Sequence, residues 1–181
     1  MKKKNLIITL IIILIISVGV GLYLHFNNKV ENNDEPTAED IIDEKTEELL
    51  TDENEENVIG HLKIDKIELN APIKDGTELS ILKTAIGHFK NTGYFNGNIC
   101  FAAHNRGYNQ NFFERLNELQ KGDKVEYITK YETQEYYISE IKEIEEIDLS
   151  VLEPTEQDQI TMITCIKNQR EKRLCVIADR K

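Results

Sequence analysis

At 181 residues the chain has room for one domain of about 120 residues plus appendages. The formal net charge of −11 is concentrated: thirteen acidic residues against Lys29 and Lys45 fall between Asn27 and Asn57, and no basic stripe with interleaved aromatics follows, which excludes nucleic acid as a partner. Cys100, Cys165 and Cys175 are too few and too scattered for a disulfide framework, and neither Cys-x-x-Cys nor histidine-rich spacing points to a metal, so no cofactor is expected.

Residues 1–5 carry Lys2, Lys3 and Lys4 and read as a short cytoplasmic N-terminus. The run from Leu6 to Leu24 has no charge and is long enough to span hydrocarbon as a helix, so 6–26 is expected to be a transmembrane signal anchor. A cleavable leader would end its apolar stretch sooner, at small residues, and Tyr23-Leu24-His25-Phe26 offers no such site. Lysines before the span and Tyr23 at its far edge orient it, with everything after Phe26 outside a single-pass membrane. Residues 27–57 then read as an acidic, self-repelling flexible linker. Ile41-Ile42 and Leu49-Leu50, about two turns apart, leave open a short helix over 38–50.

The folded domain is expected over 58–181. Ile59, Leu62, Ile64, Ile67, Leu69 and Ile73 read as strands broken by Pro72 and Gly76, and Thr77 is placed to cap a short helix over 78–85. Gly87-His88-Phe89 enters a loop containing Gly93 and Gly97, where His88 is the chief competitor to His104 for a catalytic role, and His61, among lysines and an aspartate, reads as a surface strand residue. Asn98 to Ala103 is an apolar strand ending in His104. Asn105-Arg106-Gly107 is a turn, and Phe112, Phe113, Leu116 and Leu119 predict a helix over 111–119 with its aromatics in the core. Lys121-Gly122-Asp123 turns the chain into strands over 125–129 and 135–147, followed by a loop over 148–159. Ile160 to Ala178 then reads as two strands joined by a loop over 166–172. Cys100 and Cys175 lie within apolar strands as packing. Many short strands with two small helices give a mainly β chain, consistent with a closed barrel.

Chemistry concentrates at the end of the strand that begins at Ile160. Cys165 is a thiol facing Lys167, Arg170, Lys172 and Arg173, a cationic setting that suits a nucleophile. If the last two strands pair as an antiparallel hairpin, Cys165 and Arg173 oppose one another, whereas Arg170 lies at the loop tip and Cys175 is diagonal, out of disulfide reach. The alternative is a non-catalytic surface scaffold in which Cys165 is a small buried hydrophobe.

The segment Thr161-Met-Ile-Thr164-Cys165, the Arg173-Leu-Cys-Val strand and Ala103-His104 upstream resemble the T-L-x-T-C, R and G-H signatures of the sortases, most similar to class D. The resemblance covers about Val58 to Lys181, with Ala71-Pro72-Ile73, Gly87-His88 and Asn98 in the matching order. Met162 stands where Leu is common, Ala103 replaces a glycine, and Tyr94-Phe95-Asn96-Gly97 replaces a Pro-Gly. The resemblance implies an eight-stranded β-barrel with His104, Cys165 and Arg173 catalytic, Thr164 as a substrate contact, and His88 as a structural residue outside the catalytic set. It also implies cleavage of an LPxTG-like sorting signal after its threonine, with transfer to an amine of peptidoglycan or of a pilin lysine, in a Gram-positive-type envelope. Scattered carboxylates give no ligand-spaced calcium cluster. A membrane-tethered cysteine peptidase releasing its acyl group to water would use the same residues.

Overall fold

The computed structural model describes residues 58–181, together with Ile42, Lys45 and Thr46. The expected anchor over 6–26, and the linker over 27–57 apart from those three residues, lie outside the described residues. Ile42, Lys45 and Thr46 are helical, and the Lys45 ammonium stands 5.3 Å from the Tyr131 ring centroid.

Among the described residues eight strands follow in order: β1 (Val58–Ile64), β2 (Leu69–Asp75), β3 (Ile86–His88), β4 (Asn98–Ala102), β5 (Lys124–Ile128), β6 (Thr133–Glu145), β7 (Gln159–Ile166) and β8 (Gln169–Arg180). They close into the expected barrel in the order β1-β2-β3-β4-β7-β8-β6-β5. Alternation in the sequence explains the closure, because each strand sends apolar side chains inward: Leu62 and Ile64 from β1, Ile99 and Phe101 from β4, Tyr127 from β5, Ile160 and Met162 from β7, Val176 and Ala178 from β8. Gly60 sits where the β1–β2 register slips, and a Cβ there would meet the Ile128 carbonyl oxygen at 2.7 Å.

Two pairings are parallel, β2 with β3 and β4 with β7, and the second lies at the heart of the sheet. From Asn98 to Phe101 β4 is buried on both faces, as a parallel strand requires. Its outer face is covered by the connection before β7: Asn98 Nδ2 donates to the Val151 and Glu153 carbonyls at 2.9 Å each, and Asn98 Oδ1 accepts from Thr161 Oγ1 at 2.7 Å. Cys100 and Cys175 are buried packing residues, as the apolar strands around them imply.

Three elements differ from expectation. The helix over 111–119 is a run of turns ending in a 3₁₀ segment, Leu116–Glu118. Its buried side chains, Phe113, Leu116 and Leu119, recur every three residues, which suits i→i+3 hydrogen bonding better than the α-helical period. The helix over 78–85 contracts to one turn, α1 (Leu79–Leu82), which begins after Glu78 and has no side-chain cap, Thr77 included. The loop over 166–172 contracts to Lys167-Asn168, because Asn168 takes the left-handed conformation (φ 65°) that a tight hairpin turn needs. Gln169 to Lys172 therefore already belong to β8, where Lys172 pairs with Glu145 of β6.

His88 holds the β3 end of the barrel. It is wholly buried, Nδ1 lies 2.9 Å from Asp75 Oδ1, Nε2 donates to the Gly93 carbonyl at 2.9 Å, and Tyr94 packs against the ring at 4.3 Å. Tyr94 Oη also donates to Asp75, at 2.8 Å. Burial alone would raise the Asp75 pKa, but the hydrogen bonds from His88 and Tyr94 outweigh it and hold the carboxyl below its ordinary range. A depressed carboxylate contributes stability that is complete above the unfolded value, about pH 4, and is lost as pH falls through the lower folded value. The stability advantage of the wild type over Asp75→Asn is therefore expected to shrink below about pH 4 in urea titrations. His88→Ala, which strands Asp75 and the Gly93 carbonyl, should cost about 3 kcal/mol at neutral pH.

Candidate active site

The parallel β4–β7 pairing runs Asn98 with Gln159 through Ala102 with Ile163, so the residues after both strands emerge at the same end of the barrel. Those residues are His104 and Cys165. The pairing is stapled just before them: Ala103 N–H donates to the Ile163 carbonyl at 3.4 Å, and the buried Thr164 hydroxyl donates to the Ala103 carbonyl at 2.7 Å. Thr164 lines the groove beside Cys165, but its hydroxyl is committed to β4, so its visible work is to hold the two strands in register.

The third residue arrives by the antiparallel neighbour. Cys165 pairs directly with Arg173 in the β7–β8 ladder, and the next pair, Ile166 with Gln169, leaves Arg170 to Lys172 as a bulge. The bulge curls its carbonyls toward the Arg173 guanidinium, which donates to the Arg170 and Lys172 carbonyls at 2.8 and 2.9 Å. Its other terminal nitrogen is ion-paired with Glu146, the residue after β6. Lys172 likewise lies 3.4 Å from Glu143. Of the four cations that the sequence places after Cys165, two therefore carry a carboxylate of their own.

Cys165 is exposed. It borders a groove of about 430 Å³ lined by Asn105, Arg106, Phe113, Glu114 and Leu174 among others. A larger hollow of about 640 Å³, beside Asp158 and Arg180, lies at the opposite end of β8 and is lined by neither a cysteine nor a histidine. His104 is half-buried with Nε2 lacking any hydrogen-bond partner, so that atom makes no bond to the thiol. Burial lowers the His104 pKa below the ordinary imidazole value. His88, with both nitrogens committed and no exposed surface, is unavailable to a substrate.

Four residues of this end escaped the sequence reading. Asn105 donates from Nδ2 to the Cys165 carbonyl and ties the loop after β4 to the end of β7, while Arg106 Nη1 reaches Asn168 Oδ1 at 3.5 Å. Tyr108 stacks on His104. Glu146 holds Arg173. Glu146 alone had a signal, since extending the alternation of β6 beyond its last paired residue places an acid next to the β8 arginine. Among the described residues no group of three or more His, Cys, Asp or Glu side chains is arranged to hold a metal ion.

The sequence pattern of a sortase domain matches residues 62–181. The chain is 29% identical over 126 residues to sortase A of Bacillus anthracis, covering 69% of this chain and 60% of that protein. It is 31% identical over 109 residues to sortase D of Bacillus subtilis, covering 59% and 53%. The chain thus spans little more than half the length of these curated relatives. Among solved structures, a Clostridium perfringens sortase D5 transpeptidase superposes with a TM-score of 0.67 at 31% identity, over 77% of this chain and 88% of the other.

The three thiols should separate cleanly by reactivity. Burial pushes Cys100 up to about 12 and Cys175 to about 11, whereas Cys165 is exposed. Iodoacetamide at neutral pH, followed by peptide mapping, is expected to label Cys165 well before the other two. Equal slow labelling of all three would place Cys165 inside the fold.

Proposed function

This chain belongs to the sortase family, and from that premise we propose that it is a membrane-anchored cysteine transpeptidase, which cleaves an LPxTG-like sorting signal after its threonine and joins the acyl group to an amine. The observation that carries the proposal is the register: β7 sets Cys165 directly opposite Arg173 at the end of the barrel where β4 delivers His104.

Each residue then has a task suited to its chemistry. Cys165 passes its thiol proton to His104 as Sγ attacks the threonine carbonyl carbon, and a tetrahedral intermediate forms. Collapse breaks the C–N bond, His104 gives a proton to the departing amine, and a thioester remains on Cys165. An acceptor amine attacks the thioester carbon, loses a proton to His104, and expels the Cys165 thiolate as the new amide forms. Arg173, with planar donors at a fixed angle, stabilises the oxyanion in both halves of the reaction. Thr164 keeps the β4 and β7 ends in step.

The acceptor is an amine of peptidoglycan or a pilin lysine. The apolar run over 6–26 is read as the anchor and 27–57 as the tether that lets the domain sample substrates at the outer surface of a Gram-positive-type envelope.

Incubating the full chain in detergent with LPxTG-like peptides and several amines, with products read by mass, tests the proposal. A peptide–amine conjugate is expected. Hydrolysed peptide alone would mark a cysteine peptidase, and unchanged peptide would overturn the enzymatic reading. Cys165→Ala should form no conjugate. Arg173→Lys, which exchanges a fork for a point charge, should lose about 10²-fold in kcat/KM, whereas Arg170→Ala, which keeps the backbone carbonyl that Arg173 uses, should retain most activity. An inactive Arg170→Ala beside an active Arg173→Lys would reassign the arginine.

A further inference from the structure

The loop after β4 brings one aromatic ring back onto its own histidine. The Tyr108 ring lies flat on the His104 imidazole, with centroids 3.7 Å apart and planes 12° from parallel. The loop is built to hold it there. Asn111 clasps Tyr108 from both sides, accepting its backbone N–H on Oδ1 at 3.2 Å and donating from Nδ2 to its carbonyl at 2.9 Å. The Phe113 N–H donates to the His104 carbonyl at 3.0 Å, which closes the loop at its base. Gly107, at φ +83° with open space around it, is the joint immediately before Tyr108.

Two features of this arrangement do not suit a passive packing role. Tyr108 remains 40% exposed, at the protein surface and outside the core. Beneath it, His104 Nε2 is shut away from water without a partner, an arrangement that folded proteins rarely tolerate. A histidine that exchanges protons with an amine needs its nitrogen within reach of that amine. The state with Nε2 enclosed is therefore a resting state, and a group beside the imidazole must move; Tyr108, stacked on its face, is the ring placed to do so.

We propose that Tyr108 is a positioning residue and gate for His104: stacked, it fixes the plane of the imidazole and seals Nε2, and it swings out about Gly107 when the substrate's amine arrives. The proposal rests on the assignment of His104 as the proton carrier made above. The charged and titratable groups at this end of the barrel are Arg106, Tyr108 and Glu114 on the segment after β4, Glu143 and Glu146 at the end of β6, Cys165 and Lys167 at the end of β7, and Arg170, Lys172 and Arg173 on β8. Arg106 is directed to Asn168 and Arg173 to Glu146. The downward shift of His104 comes from burial. A stacked ring offers some cation–π attraction to an imidazolium, but it supplies no acceptor for the N–H that protonation would add at Nε2. The neutral form is favoured while the gate is closed.

The test compares Tyr108→Ala and Tyr108→Phe in the full chain in detergent, reading hydrogen–deuterium exchange at each imidazole C2 against pH by mass spectrometry. Tyr108→Ala should raise the His104 midpoint toward the ordinary imidazole value. It should also speed carbethoxylation of His104 several-fold and move the acid limb of the transpeptidation profile to higher pH. Tyr108→Phe keeps the ring and should retain the wild-type titration. A His104 midpoint and modification rate unchanged in Tyr108→Ala, or a Tyr108→Phe that behaves like Tyr108→Ala, would overturn the proposal. His104→Ala separates the two layers. Its inactivity, beside an unmoved titration in Tyr108→Ala, sinks the gate alone. Its full activity sinks the catalytic assignment, while the C2 exchange still reports whether Tyr108 caps the ring.

Discussion

The parallel pairing of β4 with β7 is the constraint on which the rest of this end of the barrel depends. Parallel neighbours deliver their C-terminal residues to the same edge, so whatever follows Ala102 and Ile163 must meet. Here the residues are a histidine and a cysteine. A slip of one residue would turn Cys165 to the other face of β7, and two interactions oppose it. Asn98 anchors the entry of both strands through Thr161 and the covering loop, and Thr164 fastens their exit to Ala103. Polar groups buried at both ends of an apolar ladder specify register in a way that apolar contacts alone do not, because a slipped ladder would leave each without a partner.

Much of this was legible in the sequence, for identifiable reasons. Alternating apolar residues announced the strands, and opposing Cys165 to Arg173 required only an antiparallel hairpin. The barrel's closure came from resemblance more than from periodicity, since short strands of this kind are also compatible with an open sandwich. What stayed hidden was local backbone geometry. Nothing in Ile166 to Lys172 states that Asn168 will adopt positive φ, shrink the loop to two residues and push Arg170 to Lys172 into a bulge. The segment over 111–119 misled because apolar residues three apart fit α and 3₁₀ periods almost equally over so short a stretch. Tyr108 was illegible because its role depends on a loop conformation set by Asn111, and its exposure resembles that of any surface tyrosine.

The two histidines show how the same residue type is given opposite duties by its surroundings. His88 is buried with both nitrogens engaged, one beside a carboxylate and one on a carbonyl, and it welds β3 to the loop before β4. His104 lies two residues beyond the end of β4, with one nitrogen buried and unengaged. Satisfied hydrogen bonds make a ring immobile and chemically quiet. An unsatisfied nitrogen is the one with bonding capacity left for a substrate.

The same logic gives the Arg173–Glu146 pair a meaning in the proposed reaction. In the structure Arg173 already donates to two carbonyls and a carboxylate. A neutral substrate carbonyl has little to offer a guanidinium so well supplied, since a charge-assisted bond is stronger than one to an uncharged acceptor. An oxyanion is different, because it carries the charge that Glu146 now provides. An arginine held this way discriminates against the ground state and in favour of the tetrahedral intermediate, which is the difference that lowers a barrier. The carboxylate next to β6 therefore need not be read as an inhibitor of Arg173. It sets the level of interaction that a reacting group must match, and among the oxygens on the proposed path only the tetrahedral oxyanion carries the charge to match it.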